Sequence, residues 1–188
     1  YDVNGDGIID THDQVKLGNS IPKWMGGFNT SASWKGLTLF ARFDYALGYK
    51  KWNSGYQYFM GITSGFFNVP ELAKKTWTED NPTAGLPVLM TNDTNFKKNY
   101  TRNTSLFWEN AAYLCAREIS LSYDLPSQWT KKAMMEKVTV TLTGQNLFYV
   151  TSNNLYTPEY DSKNNTKDDG KGGYALPKTV LMGIKVVF

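Results

Sequence analysis

The residues whose types and spacing could do chemistry stand at the start of this chain. Residues 2–13, D-V-N-G-D-G-I-I-D-T-H-D, fit the twelve-position calcium loop. Asp2, Asn4 and Asp6 take positions 1, 3 and 5, and Gly7 takes the sharp turn at position 6. Ile8 lends its carbonyl at position 7, and Asp10 and Asp13 take positions 9 and 12. Ca²⁺ wants about six to eight hard oxygens at roughly 2.3–2.6 Å, and alternate oxygen-bearing residues around a glycine let one loop supply them. Asp13 stands where Glu is usual, one methylene shorter, which weakens bidentate closure. Four carboxylates so close repel one another unless a cation lies between them. The same residues also suit an Asx-rich turn that bonds its own backbone, so two readings of the loop stand. Sites of the extracellular type bind weakly, with Kd on the order of 10⁻⁴–10⁻³ M. His12, between ligand positions, is expected to be solvated.

Little else points to chemistry. A single histidine and a single cysteine, Cys115, exclude a disulfide framework and a multi-cysteine metal site. An enzyme would have to draw two acids from unlinked loops, so none is expected. The balance of 20 basic against 17 acidic residues is too even to suggest nucleic acid. No apolar run is long enough for a transmembrane helix.

The elements that position these residues alternate apolar and polar side chains, the strand signal. Five strands are expected, at 23–34, 36–49, 112–125, 137–150 and 178–188. Leu37, Leu39, Ala41, Phe43, Tyr45 and Leu47 share one face of the second; Thr38, Phe40, Arg42 and Asp44 share the other. In the third, Tyr113, Cys115, Ile119, Leu121 and Tyr123 lie opposite Glu118, Ser120 and Ser122, and Arg117 breaks the apolar face. Val138, Val140 and Leu142 oppose Thr139, Thr141 and Thr143 in the fourth. Val180, Met182, Ile184 and Val186 oppose Lys185 in the fifth. Connections run short, long, short, long: Lys35–Gly36, then 50–111, then 126–136 with one helical turn expected, then 151–177.

A soluble sandwich also alternates, but these strands are about twice the usual 5–6 residues. Aromatic residues, 15% of the chain, gather at strand ends. Trp34, Tyr123 and Trp129 lie near the short turns; Tyr45, Tyr49, Trp52, Tyr113 and Phe148 lie toward the long connections. Two aromatic belts and one-sided long loops mark an outer-membrane barrel. Mean hydropathy of −0.44 does not oppose this, because lumen-facing residues dilute the lipid-facing ones. An alternating last strand ending in Phe188 is the kind on which barrel assembly relies. Five strands cannot close a barrel, so the chain is expected to complete one with other polypeptide.

Several motifs carry a resemblance. DVNGDGIID (2–10) leads into LGNSIPKWMGGFNTSASWKGLTLFARF (17–43), followed by WTEDNPTAGLP (77–87) and AAYLCAREISLSYDLP (111–126). GQNLF (144–148), YTPEYD (156–161) and the closing GIKVVF complete the set. Together they resemble, in order, the SusC/RagA family of TonB-dependent transporters, departing at Cys115, where Arg is usual, and at Ala116. The resemblance implies the C-terminal part of an all-β barrel of about 22 strands, without the plug domain. It further implies import of oligosaccharides or peptides across an outer membrane, a SusD-like surface lipoprotein as partner, and energy through TonB. The chain then divides into an outer Asx/Gly loop (1–22), two extracellular loops (50–111 and 151–177) and wall strands, with the C-terminus periplasmic.

Arg42, Asp44, Glu118 and Lys185 face the lumen by parity. Arg42, Asp44 and Glu118 are candidates for substrate contact, with Trp52 as a stacking platform beside Tyr56, Tyr58 and Phe59. Cys115 reads as an inert small hydrophobe. The rival is a secreted β-sandwich glycan-binding module with a dockerin-like calcium loop, whose strand faces would be buried rather than lipid-facing.

Overall fold

The computed structural model describes residues 2–8, 10–61, 68–69, 71–90, 98–153, 158–159, 167–168 and 176–188. Alternation builds the first hairpin. β1 (Trp24–Trp34) and β2 (Leu37–Leu47) pair antiparallel from Trp24↔Leu47 to Trp34↔Leu37. Lys35 and Gly36 join them with φ of 46° and 85°. Two positive φ values are what a type I′ turn needs, and its twist matches the strands it connects. β2 ends two residues short of expectation, because the backbone turns at Gly48 (φ 75°).

β5 (Tyr113–Asp124) pairs with β2, β6 (Lys137–Gln145) with β5, and β9 (Thr179–Val187) with β6, all antiparallel. Spatial order is β1-β2-β5-β6-β9. The expected pairing of the last two long strands is present, from Lys137↔Val187 to Gln145↔Thr179. Between β5 and β6, α2 (Ser127–Thr130) and a 3-10 turn (Lys131–Ala133) make the short helical piece.

The sheet has an apolar and a polar face. Met182 and Ile184 are 73% and 65% exposed, and Phe28, Leu39, Leu121 and Leu142 on the same face are exposed too. Phe28 and Phe43 stack there at 5.1 Å. Opposite runs a row of cross-strand hydroxyl contacts: Ser33–Thr38 at 2.9 Å, Ser122–Thr141 at 3.0 Å and Ser120–Thr143 at 2.8 Å. Such pairs stabilise a sheet by roughly 0.2–1 kcal/mol each. Among the described residues no second sheet packs on the apolar face, as a sandwich would require. Val138 departs from its apolar-face companions. It is only 7% exposed, where α2 folds back on the start of β6.

Two strands differ from the sequence expectation for one reason. Opposite β2, the register passes from Arg42↔Glu118 to Phe43↔Ala116, which leaves Arg117 as an extra, bulged residue. The fourth expected strand breaks at Asn146 (φ 51°) and resumes as β7 (Tyr149–Thr151), paired with β5 at Cys115↔Tyr149. A bulge resets the side-chain parity of its strand. Tyr113 and Cys115 therefore stand opposite Ala46 and Asp44 on the polar face, not beside Ile119 and Leu121 as simple alternation requires. They are buried with Ala46, Tyr49 and Ala111, and Tyr149 packs against them.

The 50–111 connection has a core of its own. β3 (Lys50–Asn53) pairs with β4 (Trp108–Asn110) and with β8 (Lys167–Asp168), and α1 (Ser54–Gly61) follows β3 directly. Trp52, Met60, Tyr100 and Phe107 are buried together.

These placements correct the upper aromatic belt. Tyr49, Trp52 and Tyr113 are all buried inside, whereas Tyr45 and Phe148 remain at that edge of the apolar face. The lower belt stands as expected, with Trp34, Tyr123 and Trp129 exposed.

Candidate functional site

The bulge creates a dense polar cluster on the sheet. Because Arg117 is the extra residue, its side chain joins Glu118 on the polar face instead of pointing to the apolar one. Its guanidinium donates twice to Asp44 of β2, Nε to Oδ1 and Nη2 to Oδ2, each at 2.7 Å. Nη1 donates to Asn146 Oδ1 at 2.8 Å and to Glu159 Oε1 at 3.0 Å. Such a fork-to-carboxylate geometry is specific to Arg and stronger than neutral hydrogen bonds.

Glu159 gathers further donors. The Tyr149 hydroxyl donates to its carboxylate, and Lys51 Nζ donates to its backbone carbonyl at 3.1 Å. The Tyr49 hydroxyl donates to the carbonyl of the neighbouring Pro158. Donors from β5, β7, β3 and the β2–β3 junction thus converge on two consecutive residues of the 151–177 connection. The expected YTPEYD element is described only at Pro158 and Glu159; its other residues lie outside the described set.

A shallow recess of about 340 Å³ opens beside the cluster, lined by Gly27, Asn29, Arg42, Asp44 and Arg117. The candidate substrate residues fare differently there. Asp44 is taken up by Arg117. Arg42 is 53% exposed at its side chain and stands 3.8 Å from Glu118, an ion pair without hydrogen-bond geometry. Trp52 is not open for stacking: it packs against Phe107 and Trp108, and its Nε1 donates to Gln57 Oε1 at 3.3 Å. Tyr56 likewise packs edge-on to Phe107. Lys185 pairs with Thr139 on the polar face of β9.

The 2–13 loop is exposed and folds on its own amides. Asp2 accepts from the N–H of Gly5 at 2.6 Å and of Gly7 at 2.8 Å. Asp6 accepts from Ile8 N–H at 2.8 Å and from Asn4 Nδ2 at 2.9 Å. Asp13 accepts from Val3 N–H at 2.6 Å and Asp10 N–H at 2.8 Å, and these backbone donors, Asp10's first, hold its carboxyl below the usual range. Gly7 sits at φ 80°, the left-handed conformation the central turn requires. His12 is exposed and lies 3.0 Å from Asp10. Among the described residues no three carboxylate, imidazole or thiolate side chains converge at metal-holding distance. The loop has the order and turn of a calcium site, with its carboxylates directed to backbone donors.

Sequence reasoning missed Arg117, Asn146, Tyr149 and Glu159 as a group. The signal was Arg117 itself, a charge where parity demanded an apolar residue. Such a conflict marks a bulge when the strand continues on both sides.

No family model matches the chain. It is 28% identical to TonB-dependent receptor P26 of Formosa agariphila, over all of this chain and 19% of that protein. It is 24% identical to TonB-dependent receptor P3 of the same organism, over all of the chain and 18% of that protein. Among solved structures, the RagAB peptide importer in its open-open state matches with a TM-score of 0.68 and 30% identity, over 87% of this chain and 17% of that one. The closed-closed state matches with a TM-score of 0.70 and 27% identity, over 96% and 20%. The chain is similar in sequence and fold to a barrel segment of RagA-like TonB-dependent receptors. It spans about a fifth of the length of the curated relatives it matches. The Arg117 cluster and the recess lie on the polar face of the sheet, opposite its exposed apolar face. The relatives carry the names of receptors and importers, not of enzymes.

Proposed function

We propose that the segment supplies five wall strands and the outer loops of an importer that carries nutrient across a bacterial outer membrane. The observation that carries this reading is the two-faced sheet, with a broad exposed apolar face behind a hydroxyl-lined and charged one. An apolar face left open in water is costly; facing lipid, it is the stable arrangement. The outer edges of β1 and β9 are unpaired among the described residues. In lipid each unsatisfied backbone group costs several kcal/mol, so further strands of the same receptor complete the barrel. The long connections lie outside the cell and the short turns in the periplasm, with energy reaching the barrel from TonB through parts beyond this segment.

Peptides are the cargo favoured over oligosaccharides, because the solved relatives are named peptide importers and Trp52, the expected sugar platform, is buried. A SusD-like surface lipoprotein is the proposed partner at the outer loops. The test compares cells with and without the whole receptor, supplied in parallel with a defined peptide mixture and a defined oligosaccharide mixture. Receptor-dependent depletion of peptides is expected. Depletion of oligosaccharides alone would reverse the cargo assignment, and depletion of neither would sink import of both.

We further propose that the 2–13 loop takes Ca²⁺ through Asp2, Asn4, Asp6, Asp10, Asp13 and the Ile8 carbonyl. Support comes from the ligand order and the left-handed Gly7; the carboxylates would have to share or surrender their amide donors. Calcium titration followed by limited proteolysis tests this. Equal protection with calcium and with chelator would leave the loop a turn only.

A further inference from the structure

We propose that Arg117 is a positioning residue that fixes Pro158 and Glu159 to the lumen wall by clamping Glu159. The bulge places the guanidinium where it can use Asp44 as an anchor and Glu159 as the held group. Asp44 sits in the middle of a wall strand and receives two parallel hydrogen bonds, so it cannot move without the sheet. Glu159 lies on a connection and reaches Arg117 through a single Nη1 donor. The clamp therefore has a rigid side and a releasable side.

The surrounding donors act on the same two residues. Tyr149 holds the Glu159 carboxylate, Lys51 its carbonyl, and Tyr49 the carbonyl of Pro158. Lys51 is buried although it is a lysine, which is expected only where its ammonium has a partner. Beneath Tyr149 lies Cys115, fully buried in the cluster against which that tyrosine packs. Holding Glu159 thus holds Tyr149, and Tyr149 covers Cys115. The clamp sets how far Pro158 and Glu159 stand from the polar face of the sheet.

The inference rests on reading the polar face as a lumen, and its test separates the two. The whole receptor in outer-membrane vesicles is treated with a membrane-impermeant maleimide, and modification of Cys115 is followed by peptide mass mapping. Barrel formation is read separately from resistance to unfolding in detergent gels. Glu159→Ala, a change outside the strands, is expected to raise the Cys115 modification rate at least tenfold with the folded band retained. Glu159→Gln, which keeps an acceptor for Tyr149, is expected to hold the rate within about threefold of the parent protein. Arg117→Lys, which loses the fork, should resemble Glu159→Ala. An unchanged rate in a folded Glu159→Ala receptor would overturn the clamp, as would an equal rise in Glu159→Ala and Glu159→Gln. Loss of the folded band in the parent receptor would instead overturn the barrel reading.

Discussion

At the scale of single residues, charge placement decides which groups are structural and which are open. Asp44 and Arg117 satisfy each other, so neither offers a free group to a passing substrate. Arg42 differs, because Glu118 lies beyond hydrogen-bonding distance and its guanidinium reaches the recess. If peptides pass this wall, Arg42→Ala should weaken binding of peptides with acidic groups more than of neutral ones, by roughly 10–100-fold for a lost charge-assisted hydrogen bond. Direct binding to the purified receptor would measure it, and equal losses for both peptide classes would refute the role. Asp13 gives a pH prediction with a defined sign. Its carboxyl is held below the ordinary value of 3.8 by the N–H groups of Asp10 and Val3. Its contribution to loop order is then complete above that value and lost as pH falls through the lower folded-state one. Amide exchange at Val3 and Asp10 should stay slow down to about pH 4 and quicken below it. Asp13→Asn should remove this step. A step of equal size in that variant would place its origin elsewhere.

At the scale of elements, the two faces of the sheet answer differently to charge. Leu142→Arg or Ile184→Arg puts a cation on the apolar face, at a cost of about 2–4 kcal/mol if the site is near the bilayer midplane. Thr141→Arg, one residue away on the polar face, should cost little. Unfolding of the whole receptor in lipid, followed by denaturant titration, distinguishes them. Equal costs would mean that the faces are misassigned. The five long strands were legible in the sequence because period 2 survives without knowledge of partners. The hairpin was legible too, since Lys35–Gly36 leaves room only for a two-residue turn. What alternation could not carry was the bulge. One extra residue flips Tyr113 and Cys115 to the opposite face without changing any residue type, and only the pairing register shows it. The break at Asn146 was hidden for the same reason: GQNLF continues the apolar pattern of β6 while its backbone turns at a positive φ. The aromatic belt was partly misread because a tyrosine or tryptophan at a strand end suits either a membrane interface or the core of an outer loop. Tyr45 and Phe148 stay on the apolar face, whereas Trp52 enters the core of the 50–111 connection and Tyr49 and Tyr113 are buried on the polar face of the sheet.

At the scale of the whole molecule, the open edges and the exposed apolar face decide how the segment behaves alone. Among the described residues β1 and β9 each present a free edge, and both carry large apolar side chains such as Trp24, Phe28, Met182 and Ile184 toward the surroundings. A sheet of this kind in water invites edge-to-edge pairing and burial of its open face against other copies. The isolated 188-residue chain should therefore aggregate without detergent. Refolded in detergent, it should remain dispersed but yield readily to protease at strand edges, since five strands leave the ladder unclosed. In the whole receptor the same strands should resist protease, because closure pairs both edges. Paired cysteines make closure itself measurable. A cysteine on β9 at Ile184, scanned against cysteines along the remaining strands of the receptor, should cross-link to one strand outside this segment besides its β6 neighbour Val140. Cross-links to Val140 alone would mean that β9 remains an edge in the native protein. A chain that dissolves as a monomer without detergent would argue that its apolar face is covered from within. Either result would remove the membrane-wall reading, because that reading requires both a lipid-facing surface and a closed ladder.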